Sequence, residues 1–260
     1  MKTGFSVFLA AFVALGASWG GFVFAPELQL GGAKQTTVLN SAELYPVGRP
    51  GEANQGLRVY RAHGCAACHT EQIRQSGVAC NVVLTNPGKN PEAVSNLVST
   101  LNLNGLAKDA ADALSGQISA AGGQAEIRVA ATGPDIARGW GKRRSVAEDY
   151  LYDDPVPLGS LRAGPDLANI GVREPDLNWQ WVHLYAPKSV VNGSTMPPFR
   201  YLFEVRKTGD APSPDALVFP KGFGPPAGFE VVPKPDAKQL AAYLLSLRAN
   251  VPLYSAPFTP

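Results

Sequence analysis

The chain begins with an apolar block long enough to form a membrane-spanning helix. Residues 4–25 contain no charged side chain and carry large apolar residues throughout. At about 1.5 Å of rise per residue, a helix of this run spans roughly 33 Å, which matches a hydrocarbon core of about 30 Å. A cleaved signal peptide is the alternative, but its apolar region is normally about 7–15 residues long. Pro26 also follows the candidate cleavage site Val23-Phe24-Ala25 directly, so we favour an uncleaved anchor over residues 1–26.

Beyond the anchor, the hydrophobic pattern predicts a mainly α-helical domain. Residues 27–50 show little periodicity and several Gly and Pro residues, which is typical of a linker. Helical spacing begins at residues 51–62, where Gly56 and Tyr60 share one face. It returns over residues 236–248, with apolar side chains at i, i+3, i+4 and i+7. We therefore assign residues 51–250 to one domain and residues 251–260 to a tail.

Two segments interrupt this domain. Asn90-Pro91-Glu92 opens one helical run, and a second run continues to Ile118 and ends at Gly122-Gly123. These runs predict a helical hairpin inserted at about residues 76–135. Residues 197–234 are rich in proline, which forbids a long helix and predicts a surface loop.

Composition excludes several classes of protein. Charged residues make up 17% of the chain and the formal net charge is +2, so neither a coiled coil nor a charged disordered tail fits, and nucleic-acid binding is disfavoured. The chain has three cysteines, so an all-disulfide framework is also excluded.

One short motif carries the chemistry. Cys65-Ala66-Ala67-Cys68-His69 has the C-x-x-C-H pattern of covalent haem c attachment, in which two thiols one turn apart form thioethers and the histidine reaches the iron. A thioredoxin-like dithiol would need a strand before its helix. A zinc site would need a second pair of ligands at metal-binding spacing, whereas Cys80 is the remaining cysteine and is expected to be inert. Both alternatives are therefore disfavoured.

The motif predicts the proximal ligand of the iron, and counting narrows the choice of the sixth. His69 is the predicted proximal ligand, and Met196 is the one methionine beyond the initiator. Methionine/histidine ligation is usual for electron-transfer cytochromes c, and Met196 lies in a proline-stiffened segment that suits a ligand loop. His183 is the rival, although a structural or haem-propionate role is favoured for it, and His63 is interpreted as a surface residue.

Further residues are predicted to surround the haem. A carbonyl of the Gly164-Pro165 turn would accept the Nδ1 hydrogen of His69, an interaction that orients the ring and increases its donor strength. Arg74 and Arg162 are candidates for neutralising the haem propionates, with solvated surface charges as the alternative.

These features together resemble a known family. The first helix, the C-x-x-C-H motif, the Gly-Pro turn, Met196 and the last helix look like a class I cytochrome c, in which the first and last helices cross beside the haem. A narrower resemblance, to the membrane-anchored mono-haem subunit of cbb(3)-type cytochrome c oxidases (the CcoO/FixO family), is carried by four runs: 68–74, 152–155, 159–167 and 183–197. The insertion at 76–135 and the long proline-rich stretch depart from the family pattern.

The resemblance implies an electron-transfer subunit with one covalent haem c and no catalytic residue of its own. Its partners would be a catalytic haem–copper oxidase subunit, a multi-haem cytochrome c subunit, and a donor cytochrome or other electron donor. Lys2 before the apolar run favours a cytoplasmic N-terminus, which places the haem domain on the periplasmic side of the inner membrane. The alternatives are the cytochrome c subunit of a nitric oxide reductase, a free-standing tethered electron carrier, and a haem sensor or peroxidase-like enzyme.

Overall fold

The computed structural model of this chain describes residues 2–254. Residues 255–260, the end of the predicted tail 251–260, lie outside the described residues. The helices, in chain order, are α1 (Lys2–Trp19), α2 (Ala25–Leu30), α3 (Gly51–Ala62), α4 (Pro91–Ser99), α5 (Lys108–Ala120), α6 (Pro134–Ala137), α7 (Ile170–Arg173), α8 (Leu177–Tyr185) and α9 (Pro235–Ser246). The strands are β1 (Thr36–Thr37), β2 (Leu44–Tyr45), β3 (Gly77–Asn86), β4 (Gln124–Thr132), β5 (Phe203–Lys207) and β6 (Phe229–Pro233).

The N-terminal helices α1 and α2 are joined by a π-helical turn over Gly20–Phe24. By length and composition, the stretch Gly4–Leu30 is able to cross a membrane, and the rest of the chain buries none of its most apolar window. The helix continues past the predicted end at residue 26. Pro26 does not end it because this proline lies at the start of α2, where a missing N–H is tolerated.

The predicted linker covers residues 27–50, and its second half is held against the domain that follows. The Leu39 N–H donates to the Pro252 carbonyl at 2.8 Å, and the Tyr45 hydroxyl donates to Asp149 at 2.8 Å. Arg49 forms an ion pair with Asp153. These contacts fix the end of the linker beside α3.

The main core lies where α3, α8 and α9 pack together. The rings of Tyr60 on α3 and Tyr243 on α9 have centroids 5.3 Å apart. Gly56 lies at the crossing, where an added Cβ would come within 1.9 Å of the Gln239 carbonyl oxygen. The close approach of α3 and α9 therefore requires glycine at this position.

The insertion contains the two predicted helices, α4 and α5, but the prediction that it is purely helical is wrong. Strands β3 and β4 flank the helices and pair antiparallel, with Gly77 opposite Thr132. The sequence signal for β4 is the alternation of polar and apolar residues over 124–129, which has the period of a half-buried strand. The insertion has a core of its own, formed by Cys80, Val82, Val94, Ala111, Leu114 and Ile118.

The proline-rich segment 197–234 is also not entirely loop. Strands β5 and β6 pair antiparallel near its two ends, with Phe203 opposite Pro233. Five of the prolines that exclude a helix lie in the connection between the strands. Pro233 is tolerated because it is the last residue of β6, where a missing donor costs little.

Candidate functional site

The C-x-x-C-H motif lies in a tight turn directly after α3. Gly64 has a φ of 66°, a left-handed conformation that favours glycine, and it turns the chain into a 3₁₀ turn over Cys65–Ala67. The His69 N–H then donates to the Cys65 carbonyl at 3.0 Å. Both motif cysteines are free thiols, with Cys65 half-buried and Cys68 exposed, and burial raises the pKa of the Cys65 thiol to about 11. The turn therefore presents two thiols and a histidine within five consecutive residues, 65–69.

The His69 ring is fixed by a backbone contact from a distant segment. Its Nδ1 lies 2.8 Å from the Pro165 carbonyl oxygen, and because a carbonyl only accepts, Nδ1 carries the hydrogen and Nε2 has its lone pair free. An added Cβ on Gly164 would come within 2.3 Å of the His69 ring, so the ring packs directly on this backbone. Burial lowers the pKa of His69, which favours the neutral imidazole that metal coordination requires.

Asp166 holds the segments on either side of His69 together. Its side chain is fully buried and accepts from the Thr70 hydroxyl at 2.6 Å, from the Gln72 N–H at 2.8 Å and from the Ala168 N–H at 2.9 Å. Sequence reasoning did not single out this residue. The signal available was its place directly after the Gly164-Pro165 turn, where a short acceptor bonds nearby backbone donors.

Glu71 is a second buried carboxyl close to the motif that sequence reasoning missed. It is 2% exposed, and both of its oxygens lie 2.8 Å from the Tyr243 hydroxyl. Burial raises its pKa to about 8. The contact ties the chain after His69 to α9.

Met196 lies in the segment that follows α8 and packs partly buried against the main core. The same core is contacted by Cys65 and Ala66 of the motif, so the fold brings the two predicted halves of the haem pocket to one core. The Phe199 N–H donates to the Leu184 carbonyl at 2.8 Å, which fixes the end of the segment against α8.

The other two histidines occupy different environments. His183 stacks on Trp179 with ring centroids 4.7 Å apart, and its buried Nδ1 has no hydrogen-bond partner among residues 2–254. Burial, with a further contribution from His69, lowers the pKa of His183 to about 4, so the ring is neutral and lies within electrostatic range of His69. The Nδ1 of His63 instead lies 3.1 Å from the Tyr201 hydroxyl, directly before the turn that carries the motif.

The two arginines predicted to meet the propionates converge on a carboxylate of the chain. Arg162 Nη1 lies 2.6 Å from Asp135 Oδ1, and Nη2 lies 3.6 Å from Asp166 Oδ2. The Arg74 N–H donates to Asp135 at 2.8 Å, while the Arg74 residue is exposed. Protein carboxylates thus already balance the Arg162 charge.

The assembled residues fit a haem c better than a bare metal ion. In the part of the chain that the structure describes, no group of three or more His, Cys, Asp or Glu side chains could hold a metal ion. The motif instead offers two thiols for thioethers, and His69 has its Nε2 free beside them. This donor set matches covalent haem attachment.

Comparison with known families finds a match over part of the chain. Residues 134–218 match the family model described as cytochrome C oxidase, mono-heme subunit/FixO, which covers about a third of the chain. No curated protein matches the chain. The match confirms the resemblance to the CcoO/FixO family. It includes Arg162, Pro165, His183 and Met196, whereas the C-x-x-C-H motif lies before it.

Proposed function

We propose that this chain, a relative of the CcoO/FixO family through residues 134–218, is a membrane-anchored c-type cytochrome of a cbb(3)-type terminal oxidase in aerobic respiration. It carries electrons through one covalent haem c and performs no bond-making step itself. The observation that carries the proposal is the contact between His69 Nδ1 and the Pro165 carbonyl oxygen at 2.8 Å. This contact joins the haem motif, which lies outside the family match, to the segment inside it.

Each residue of the site has one task. Cys65 and Cys68 would hold the haem through thioether bonds, and His69 would bind the iron through Nε2 while the Pro165 carbonyl keeps its ring in place. Met196, in the segment after α8, would be the second protein ligand of the iron. When bound, the haem supplies a one-electron Fe(II)/Fe(III) couple. With both His69 and Met196 as ligands, the chain itself would hold the iron, an arrangement that suits electron transfer.

The architecture suits a class I cytochrome c fold with additions. The packing of α3 on α9 at Gly56 supports this, because these are the first and last helices of the domain and α3 leads directly into the motif. The apolar helix over Gly4–Leu30 supports a single-pass anchor. With Lys2 on the cytoplasmic side, the haem domain lies in the periplasm, at the inner membrane.

The proposed partners follow from the family. A catalytic haem–copper subunit would receive the electron, and a multi-haem cytochrome c subunit or a separate donor cytochrome would supply it. The insertion β3–α4–α5–β4 gives this chain a lateral surface that the family match does not cover.

The test is expression of the full chain with c-type maturation machinery, followed by purification from membranes in mild detergent. We expect the pyridine haemochrome spectrum to give one haem per chain, and we expect this haem to resist extraction by acid acetone. The chain should also co-purify with a haem b–copper subunit that consumes oxygen. A lone c-type spectrum would indicate a free carrier, and a haem b–non-haem iron partner would indicate nitric oxide reduction. A chain without covalent haem would refute the proposal.

Met196→Ala tests the sixth ligand separately. We expect the haem to remain attached through Cys65 and Cys68, with a lower reduction potential and rapid carbon monoxide binding to the reduced protein. Wild-type protein should bind carbon monoxide slowly, whereas prompt binding at neutral pH would favour a haem sensor or peroxidase-like enzyme.

A further inference from the structure

Strand β4 forms the open edge of the sheet in the insertion. It pairs with β3 on one side. On the far side of β3, the backbone groups of Cys80 and Leu106 exchange hydrogen bonds of 2.8 and 2.9 Å, so both edges of β3 are covered. Among residues 2–254, no strand or isolated bridge pairs with the outer edge of β4.

The pairing of β3 determines which backbone groups of β4 point outward. Because the N–H and carbonyl of Cys80 point towards Leu106, the pair formed by Cys80 and Val129 is not hydrogen-bonded. Val129 therefore directs its own N–H and carbonyl away from β3. The Val82 N–H also points away from β4, so Ile127, which lies opposite Val82, points outward as well.

This edge is long and unpaired. β4 spans Gln124–Thr132 and contains no proline. By alternation, Ala125 points its backbone groups outward as Ile127 and Val129 do, and within residues 2–254 these groups make no hydrogen bond outside the ladder. A free strand edge of this kind is a template for pairing with a further strand.

The charges on β4 favour a second copy of β4 as that strand. Glu126 and Arg128 lie on the face opposite the insertion core, and their side chains are 55% and 60% exposed. When two β4 strands pair antiparallel about Ile127, each Glu126 lies opposite Arg128 of the second copy. The neighbouring registers that preserve the two faces place Glu126 opposite Glu126, or Arg128 opposite Arg128, and like charges directly opposite are destabilising.

The backbone favours the same register. Centred on Ile127, the outward-pointing residues face each other, with Ala125 opposite Val129 of the second copy, so each such pair exchanges both of its hydrogen bonds. Glu126 and Arg128 then occupy the non-hydrogen-bonded positions, where the Cα atoms are about 4.5 Å apart and opposite side chains are closest.

We propose that two copies of this chain associate through antiparallel pairing of their β4 strands, in the register centred on Ile127. The interface is isologous, because each copy contributes the same strand. Pairing of two strands is a small contact, but the proposed anchor over Gly4–Leu30 confines both copies to one membrane and so raises their effective concentration. The inference goes beyond the proposed function and does not require the haem.

The first experiment reverses one charge in each of two differently tagged copies of the full chain. Glu126→Arg and Arg128→Glu each give a strand of like charges, so either variant by itself should pair roughly tenfold more weakly than wild type. Co-expressed, the two variants place opposite charges at every facing position and should pair as wild type does. Capture of one tag in mild detergent, with the second tag quantified, measures the pairing. Lys108→Glu, in an exposed ion pair of α5, is the matched control and should change nothing.

Cysteine cross-linking in membranes tests the register. Glu126→Cys in one copy and Arg128→Cys in the other place two thiols directly opposite each other, within disulfide reach, whereas two Glu126→Cys copies are offset by two residues. After mild oxidation we expect the mixed pair to give a disulfide dimer that carries both tags. Each variant paired with itself should give much less, and the wild-type chain controls for its own three cysteines.

Ala125→Pro blocks the edge with little effect on the chain itself. The Ala125 N–H points outward, so the substitution removes no hydrogen bond to β3, a position at which edge strands tolerate proline. We expect loss of the captured dimer with an unchanged midpoint of thermal unfolding.

Three results would overturn the proposal. Wild-type copies that do not capture each other, together with a mixed cysteine pair that does not cross-link in membranes, would exclude the dimer. Equal cross-linking by two Glu126→Cys copies would exclude the register. If Ala125→Pro left the captured dimer intact and removed the co-purifying haem–copper subunit, the edge would bind that partner and not a second copy.

Discussion

The crossing of α3 and α9 depends on the missing side chain of Gly56, and Gly56→Ala tests this dependence. A methyl group at residue 56 would lie 1.9 Å from the Gln239 carbonyl oxygen and 2.7 Å from Tyr243 Cβ. An ordinary contact between such atoms is about 3.5 Å. The backbone of α9 cannot yield as a flexible side chain would, so the two helices must separate by roughly an ångström or more.

Two opposing effects set the size of the expected change. Replacing glycine by alanine inside a helix stabilises it by about 1 kcal/mol, whereas overpacking a well-packed core typically costs about 1–3 kcal/mol. The clash with a backbone atom in the middle of the core places Gly56→Ala at the upper end of that cost. We expect a net loss of about 2 kcal/mol, which for a domain of this size lowers the midpoint of thermal unfolding by roughly 4–8 °C.

Gly116→Ala is the matched control for this measurement. Gly116 lies in α5, and an added Cβ there meets no atom within 4 Å, so the helix-propensity gain is expected without a clash. Thermal unfolding of both variants, followed by far-UV circular dichroism in mild detergent, should therefore give shifts of opposite sign. A Gly56→Ala protein as stable as wild type, or more stable, would refute the claim that the helix crossing requires glycine.

Two further substitutions probe the site. Gly164→Ala places a methyl group 2.3 Å from the His69 ring, so we expect haem staining to show much less covalent haem per chain. Gly209→Ala is the control: its added methyl group meets no neighbouring atom, so the haem content should be unchanged. Burial alone would raise the pKa of Asp135, but hydrogen bonds from Arg162 and the Arg74 N–H outweigh it and leave the pKa lowered. Because the folded pKa is depressed, this stabilisation is present above about pH 4 and is lost as pH falls through the folded pKa. Urea unfolding from pH 3 to 7 should show Asp135→Asn about 3 kcal/mol less stable at neutral pH with a flatter acid dependence; a parallel pair of curves would contradict the ion-pair interpretation.

The parts of the fold that could be predicted are those with local signals. Helical periodicity identified α3, α4, α5 and α9, because apolar residues three and four apart mark one face. β3 and β4 were missed because their apolar residues were read as part of a helical hairpin. The alternation of polar and apolar residues over 124–129 was the available signal for a strand. It identifies β4 only when the paired strand β3 is also recognised.

The same division applies to the site. The C-x-x-C-H motif is contiguous, and a Gly-Pro turn commonly presents a free carbonyl, so Cys65, His69 and Pro165 could be named from the sequence. The partners of the arginines could not, because Arg162 meets Asp135 across 27 positions of sequence and Asp135 lies at the end of the predicted insertion. Charge alone does not reveal which arginine the chain itself neutralises.

The insertion closes on itself at its base, which explains how the domain accommodates it. The Ser76 N–H donates to the Thr132 carbonyl at 2.8 Å, and an added Cβ on Gly133 would lie 2.9 Å from the Ser76 nitrogen. The host chain therefore leaves and returns at nearly the same point. The family match begins at residue 134, immediately after this return.

Replacing residues 77–132 by a short Gly-Ser linker should consequently leave the host intact. The insertion has its own core, and closing a shorter loop costs the host less, by only about 0.6 kcal/mol for each halving of length. We expect the covalent haem content, the reduction potential and the rate of carbon monoxide binding to equal those of the full chain. The binding of any partner that contacts the insertion would be lost. Loss of covalent haem from the shortened chain would mean that the insertion supports the His69 side of the pocket, through Arg74 and Asp135, and is not an independent unit.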